Sequence, residues 1–238
     1  MVAALPDHAG MLVLEPRMQT CLRPPATIER TSPMELGDPA RIEDARTRAK
    51  RLLALWQEER RVEDLRAAVD ALRESISTTA DPTTRVASRA DLGAALQIMY
   101  EVEGESGETA VGYLDEAITT TQIVIEDLPE GKERRRQFAN LANALRARHD
   151  ATTDAQSVLD GVAAARRSLS PDDPATVTSE RASNLALLLR ARFLRFGALD
   201  DIDEAVDLLG KAAPAARPES RHLIVSNLAD TLALRGYR

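Results

Sequence analysis

Phe138-Ala139-Asn140-Leu141-Ala142-Asn143-Ala144-Leu145 places Phe138, Leu141, Ala142 and Leu145 at i, i+3, i+4 and i+7, the spacing of one apolar helical face. The segment recurs. Leu52-Leu53-Ala54-Leu55-Trp56, Leu92-Gly93-Ala94-Ala95-Leu96, Leu185-Ala186-Leu187-Leu188-Leu189 and Leu228-Ala229-Asp230-Thr231-Leu232 superimpose on Leu141 to Leu145. Their leading leucines are 40, 49, 44 and 43 residues apart in chain order. We name these the A helices. Between them stands a second series, the B helices: Leu65-Arg66-Ala67-Ala68-Val69, Leu114-Asp115-Glu116-Ala117-Ile118, Val158-Leu159-Asp160-Gly161-Val162 and Ile202-Asp203-Glu204-Ala205-Val206. Each has an apolar residue, a small residue three later and a β-branched residue after it.

From the small residue of each B helix to the leucine of the next A helix the separations are 24, 24, 24 and 23. From each A leucine to the small residue of its own B helix they are 16, 25, 20 and 20, which predicts that insertions collect in the A–B turn. A stack of hairpins has this property, because stacking fixes the path between repeats while one edge can grow into solvent. Prolines recur where each B helix is expected to stop: Pro82, Pro129, Pro171 with Pro174, and Pro214 with Pro218. The expected fold is all-α, nine helices forming four A–B hairpins and a fifth A helix.

The order and spacing of Phe138-x-x-Leu141-Ala142-x-x-Leu145, Asp115-Glu116-Ala117-Ile118, Asp203-Glu204-Ala205-Val206 and the closing prolines resemble the tetratricopeptide repeat over about 44–238. The long A helices with Arg-rich ends, as in Arg190 to Gly197, resemble the longer repeats of bacterial tetratricopeptide arrays, some of which precede CHAT peptidase domains. The resemblance implies a right-handed superhelical solenoid whose A helices line the concave face. It also implies that the residues just before and two after each leucine look into the groove.

Composition agrees with helices. Of 238 residues 44% are apolar and 29% charged, and aromatics are only 3%, which excludes an all-β fold. The net charge of −7 opposes binding to nucleic acid or to an anionic membrane surface. One cysteine, Cys21, allows neither an internal disulfide nor a Cys-based zinc cluster, so a reducing compartment, the cytoplasm, is expected. Residues 1–37 carry Pro6, Pro16, Pro24, Pro25 and Pro33 and read as an irregular arm, extended or disordered. Asp38-Pro39 reads as a cap and first helical residue, which gives a repeat domain over 38–238. Met11 to Leu14 in the arm would suit the groove of its own or a neighbouring solenoid, and the last helix offers a second route to self-association. Past Leu232 no B helix covers Ile224, Val225, Leu228 and Leu232. Either the natural protein continues, or the last helix caps the array with His222, Ser226 and Asp230 facing water.

Catalytic patterns are weak. His8, His149 and His222 form no metal-ligand spacing, and Glu103-Gly104-Glu105-Ser106-Gly107 is an acidic turn that repels phosphates. No cofactor, metal or catalytic residue is expected. The residue before each leucine is Arg51, Asp91, Asn140, Asn184 and Asn227 in turn. On the face that the resemblance implies, Asn140, Asn184 and Asn227 form a ladder able to bond an extended peptide backbone, with Asn143 adding to it. The same asparagines could instead bond neighbouring helices and stabilise the stack. Arg136, Arg146 and Arg190 lie on or beside this face and favour an acidic segment or a carboxylate, while Arg146 and Arg190, near the ends of their A helices, could instead complement helix C-termini. Trp56 stands at a leucine position and is expected in the core.

The candidate partner site is thus Asn140, Asn143, Arg146, Asn184, Arg190 and Asn227. The expected function is a non-catalytic scaffold that binds a protein or peptide in its groove. Two alternatives stand beside it: a sensor or regulatory segment of a larger multidomain protein, and an enzyme with a pocket inside the solenoid.

Overall fold

The computed structural model describes residues 44–104 and 108–236. Among them are nine α-helices and no strand: α1 (Ala45–Glu59), α2 (Val62–Thr78), α3 (Pro82–Glu103), α4 (Glu108–Asp127), α5 (Lys132–Thr152), α6 (Ala155–Ser168), α7 (Ala175–Phe196), α8 (Leu199–Ala215) and α9 (Pro218–Gly236). Odd-numbered helices are the A series and even-numbered ones the B series. Each helix packs on the next, and α3, α5, α7 and α9 also touch in sequence, so the array is solenoid-like with consecutive A helices side by side. The arm, Cys21 and the Asp38-Pro39 cap lie outside the described residues. The first described cap is Asp44, whose carboxylate accepts from the Thr47 N–H at 3.0 Å, so α1 begins at Ala45.

Helix starts and stops follow local chemistry. Asp81 accepts from Thr83 and Thr84 ahead of Pro82, the first residue of α3, and Asp154 caps α6 through Gln156 and Ser157. Gly197 closes α7 at φ 78°, donating its N–H to the Phe193 carbonyl at 2.7 Å, a left-handed turn that glycine adopts without Cβ strain. Pro129 and Pro171 fall between helices, and Pro174 and Pro218 sit at starts. Pro214 departs from its expected place. It lies inside the last turn of α8, one residue before the helix ends, and withholds a donor from the Gly210 carbonyl four residues back.

The small residue of every B helix marks a crossing point. Ala68, Ala117 and Ala205 are wholly buried, and Gly161 is buried too. A Cβ on Gly161 would lie 2.7 Å from Leu188 Cδ2, so a side chain here would require Leu188 to shift. These crossings explain the constant B-to-A separation. It holds although α6 ends early and a longer connection, 169–174, makes up the difference.

The expectation that length variation collects in the A–B turns is corrected. Residues 60–61, 153–154 and 197–198 make equally short turns, and only 104–107 is longer. The short first spacing arises because α1 stops sooner after its leucine than α3, α5 or α7. Part of the long second spacing lies inside α4, which starts further ahead of its crossing residue than the other B helices do.

Two large clusters, both reaching α4, fill most of the core, and a small third one gathers Tyr100, Ala110 and Leu114. Of the large ones, one gathers Leu53, Trp56, Leu65, Leu72, Leu96 and Met99, and the other Leu141, Leu145, Leu185, Leu188, Leu189 and Leu209. Trp56 is core, with the Arg60 guanidinium 4.7 Å from its ring centre. At the far end, His222, Ser226 and Asp230 face solvent, but so do Val225 and Leu232, while Leu228 is half-buried. The helix therefore does not present the polar outer face expected of a cap, because no described element packs on that side.

Candidate binding groove

The two sides of the array differ in shape. On the B side, Leu159, Asp160, Ala163, Arg166 and Arg167 of α6 are all exposed, as are Asp203, Asp207 and Gly210 of α8. On the A side, the residues off the apolar face are only half-buried: Asn143 and Arg146 of α5, and Asn184, Leu187, Arg190 and Ala191 of α7. Solvent-facing residues shielded by neighbouring helices belong to a re-entrant surface. The A side is therefore the candidate groove, and α5 places Asn140, Asn143 and Arg146 on it at three-residue steps.

Asn140 sits deepest. It is 5% exposed, and its amide donates to Gln137 Oε1 at 3.4 Å. That contact belongs to the helix-stabilising role more than to reception of a ligand. Asn143, Asn184 and Asn227 remain half-buried on α5, α7 and α9, and the backbone carbonyl of Asn227 accepts from Thr231 Oγ1 at 2.6 Å. Arg146 pairs with Asp150 at 2.9 Å, and Arg190 stands 4.0 Å from Asp230 across the α7–α9 contact. The arginines are thus partly neutralised by acids of the groove itself.

Charges on the two sides are used differently. Outside, ion pairs join neighbouring B helices: Arg73 of α2 forks onto Glu116 of α4 at 3.0 and 2.6 Å, and Arg166 of α6 makes a single bond to Glu204 of α8 at 2.6 Å. The Nε atoms of Arg46, Arg134, Arg136 and Arg146 are buried with no hydrogen-bond partner among the described residues.

Two carboxyls of α3 face these arginines. Burial pushes Asp91 above the usual carboxylate range, against the attraction of Arg46, Lys50 and Arg136. Glu101 is raised by the protein packed around it, with Arg146 pulling the other way. Asp91, Gln137, Arg46, Arg85 and Arg89 were not candidates on sequence grounds, although Asp91 occupies the ladder position. Together with Arg136 they line a cavity of about 660 Å³ where the first turn of α1, the first half of α3, the end of α4 and the start of α5 converge. Only the ladder register pointed there, since the convergence depends on how three A helices lie side by side.

Among the described residues no cluster of histidine, cysteine and acidic side chains could hold a metal ion, and no helix is long and apolar enough to cross a membrane. No protein-family model and no curated protein matches the chain.

Proposed function

We propose that the protein is a non-catalytic interaction scaffold that holds a protein segment along its A-helix groove. What supports this reading is the half-buried guanidiniums of Arg146 and Arg190, which stand beside Asn143 and Asn184 on one side of the A helices. Groups of that kind pair well with carboxylates, so an acidic segment is the favoured partner. Asn143, Asn184 and Asn227 offer amide groups to its backbone, with Arg146 and Arg190 supplying charge. Asn140, being buried and bonded, acts as a spacer beneath them. The tetratricopeptide resemblance supports the same reading.

The test begins with recovery of the partner that copurifies with the full chain, followed by titration against variants. Hydrogen bonds to charged groups contribute about 1.5–3 kcal/mol, so Arg146→Ala and Arg190→Ala are each expected to weaken binding by about 10- to 100-fold. Asn184→Ala should cost about 1 kcal/mol, with helicity unchanged in each. Wild-type affinity in both arginine variants would put the site elsewhere.

A further inference from the structure

The outer face of α9 is one half of an interface that the earlier repeats complete. In α5 and α7 the residues three before, one after and four after the leading leucine are Phe138, Ala142 and Leu145, and Ala182, Ala186 and Leu189, all at most 7% exposed. Positions of this register meet the B helix of the same hairpin. A Cβ on Gly93, one after the leucine of α3, would lie 2.7 Å from Thr121 Oγ1 and 3.7 Å from the Ala117 carbonyl oxygen of α4, and a Cβ on Gly161 of α6 would lie 3.5 Å from Leu145 Cβ. The equivalents on α9 are Val225, Ala229 and Leu232. All three are exposed, and among the described residues no helix packs on that side.

The exposed face is symmetric along its length. Pro218, His222, Val225, Ala229, Leu232 and Gly236 follow one another at steps of four, three, four, three and four residues, the spacing of a helix–helix seam, and all six are exposed. The order of steps is the same from either end. Two copies of α9 running antiparallel about the level of Asn227 therefore set Val225 against the small Ala229, His222 against Leu232 and Pro218 against Gly236. Basic side chains beside the line are drawn back from it: Arg221 donates to the Pro214 and Ala216 carbonyls at 3.4 and 3.1 Å, and Arg235 pairs with Asp203 of α8 at 2.6 Å.

We propose that a second copy of this chain covers the face, α9 pairing antiparallel with the other α9 in an isologous dimer. An antiparallel helix with a small residue at the crossing is what every B helix gives its A helix, and in this pairing each α9 receives it from the other. The 19 residues of α9 make a helix about 28 Å long, whose single face buries less than the roughly 1,600 Å² of a standard interface, so the dimer is a reversible one that forms as concentration rises. Asn227, two residues before Ala229, lies on nearly the opposite side of the helix, so the pairing leaves the groove open. The dimer does not depend on the groove reading.

Sedimentation equilibrium of the full chain across a range of concentrations tests it. Wild type should pass from monomer to dimer, and the α9 amides, which exchange early in the dilute monomer, should gain protection over the same range. Val225→Glu buries a carboxylate from each copy in the seam and should weaken dimerisation by about 100-fold with helicity unchanged. Leu199→Ser, at the α7–α8 turn where Leu194 and Phe196 are exposed too, should leave it as it is. For the register, Val225→Cys and Ala229→Cys chains, each also carrying Cys21→Ser, are mixed and oxidised, and the mixed pair should cross-link in preference to either chain with itself. A monomer at every concentration would overturn the proposal, as would a dimer lost in Leu199→Ser and kept in Val225→Glu. Protection of α9 that is independent of concentration would mean that the chain's own N-terminal residues cover it, and cross-linking of like with like would exclude the antiparallel register; either result would overturn the proposal.

Discussion

Asp173 shows how single residues join one repeat to the next. It lies in the 169–174 connection with its side chain 4% exposed, accepting from Arg135 of α5 at 3.2 Å and from Arg181 of α7 at 2.6 Å. Arg181 also donates to the Ser168 carbonyl at 2.6 Å, which ties the end of α6 into the same knot. Burial pushes the Asp173 carboxyl up, but the two guanidiniums outweigh it and hold it below the usual carboxylate range. A carboxyl lowered in the folded state lends stability above about pH 4, its unfolded range, and that stability is lost as pH falls through the folded value. Asp173→Asn should therefore destabilise the fold by about 3 kcal/mol at pH 7, because it strands the nearly buried Arg181. In chemical denaturation from pH 7 to 3 the gap between wild type and variant should narrow. A gap that stays constant with pH would mean that the charge of Asp173 is not what matters. Gly161 is a second such residue. Its close approach to Leu188 leaves no room for a branched side chain, so Gly161→Val should cost about 1–3 kcal/mol through overpacking at the α6–α7 crossing. A denaturation midpoint equal to wild type would show that the crossing can give way.

At the scale of elements, the alternation of A and B helices was legible because it is written in two places at once. Leucine-led apolar faces recur, and the small crossing residues keep a constant distance to the next leucine. Constant spacing reports contacts that every repeat must make. Variable spacing reports less: the 16- and 25-residue intervals do not say whether a helix or a turn absorbs the difference, and most of it proved to be helix. Pro214 was misread for a related reason, since a proline ends a helix only within a turn or so and does not mark which residue is last. The groove was half legible. Asn143, Arg146, Asn184 and Arg190 share the re-entrant side, whereas the burial of Asn140 depends on Gln137 reaching it one turn away. The arginine-lined cavity was out of reach, because Arg46, Arg89 and Arg136 are distant in sequence and meet only through the side-by-side A helices.

Stability should vary along the whole molecule, since each repeat is held chiefly by its neighbours. α7 is packed by α6, α8, α5 and α9, and Leu185, Leu188, Leu189 and Phe193 are at most 1% exposed. Among the described residues α9 packs chiefly on α8 and α7, and it leaves Val225 at 49% and Leu232 at 45% exposure. Hydrogen exchange should accordingly find α7 amides protected to nearly the global unfolding free energy and α9 amides opening well before. Equal protection in the two helices would mean that the array unfolds as one block, or that another chain covers α9. The groove runs along the same axis, so a bound segment should contact several repeats at once from one side only.

A photo-crosslinking side chain placed at Leu187, inside the groove on α7, or at Leu159, on the outer side of α6, tests that claim most directly in the full chain with its copurified partner. Crosslinking from Leu187, absent from Leu159 and reduced by Arg146→Ala, is the expected result. Crosslinking from Leu159 equal to or stronger than that from Leu187 would place the partner on the B side and contradict the account.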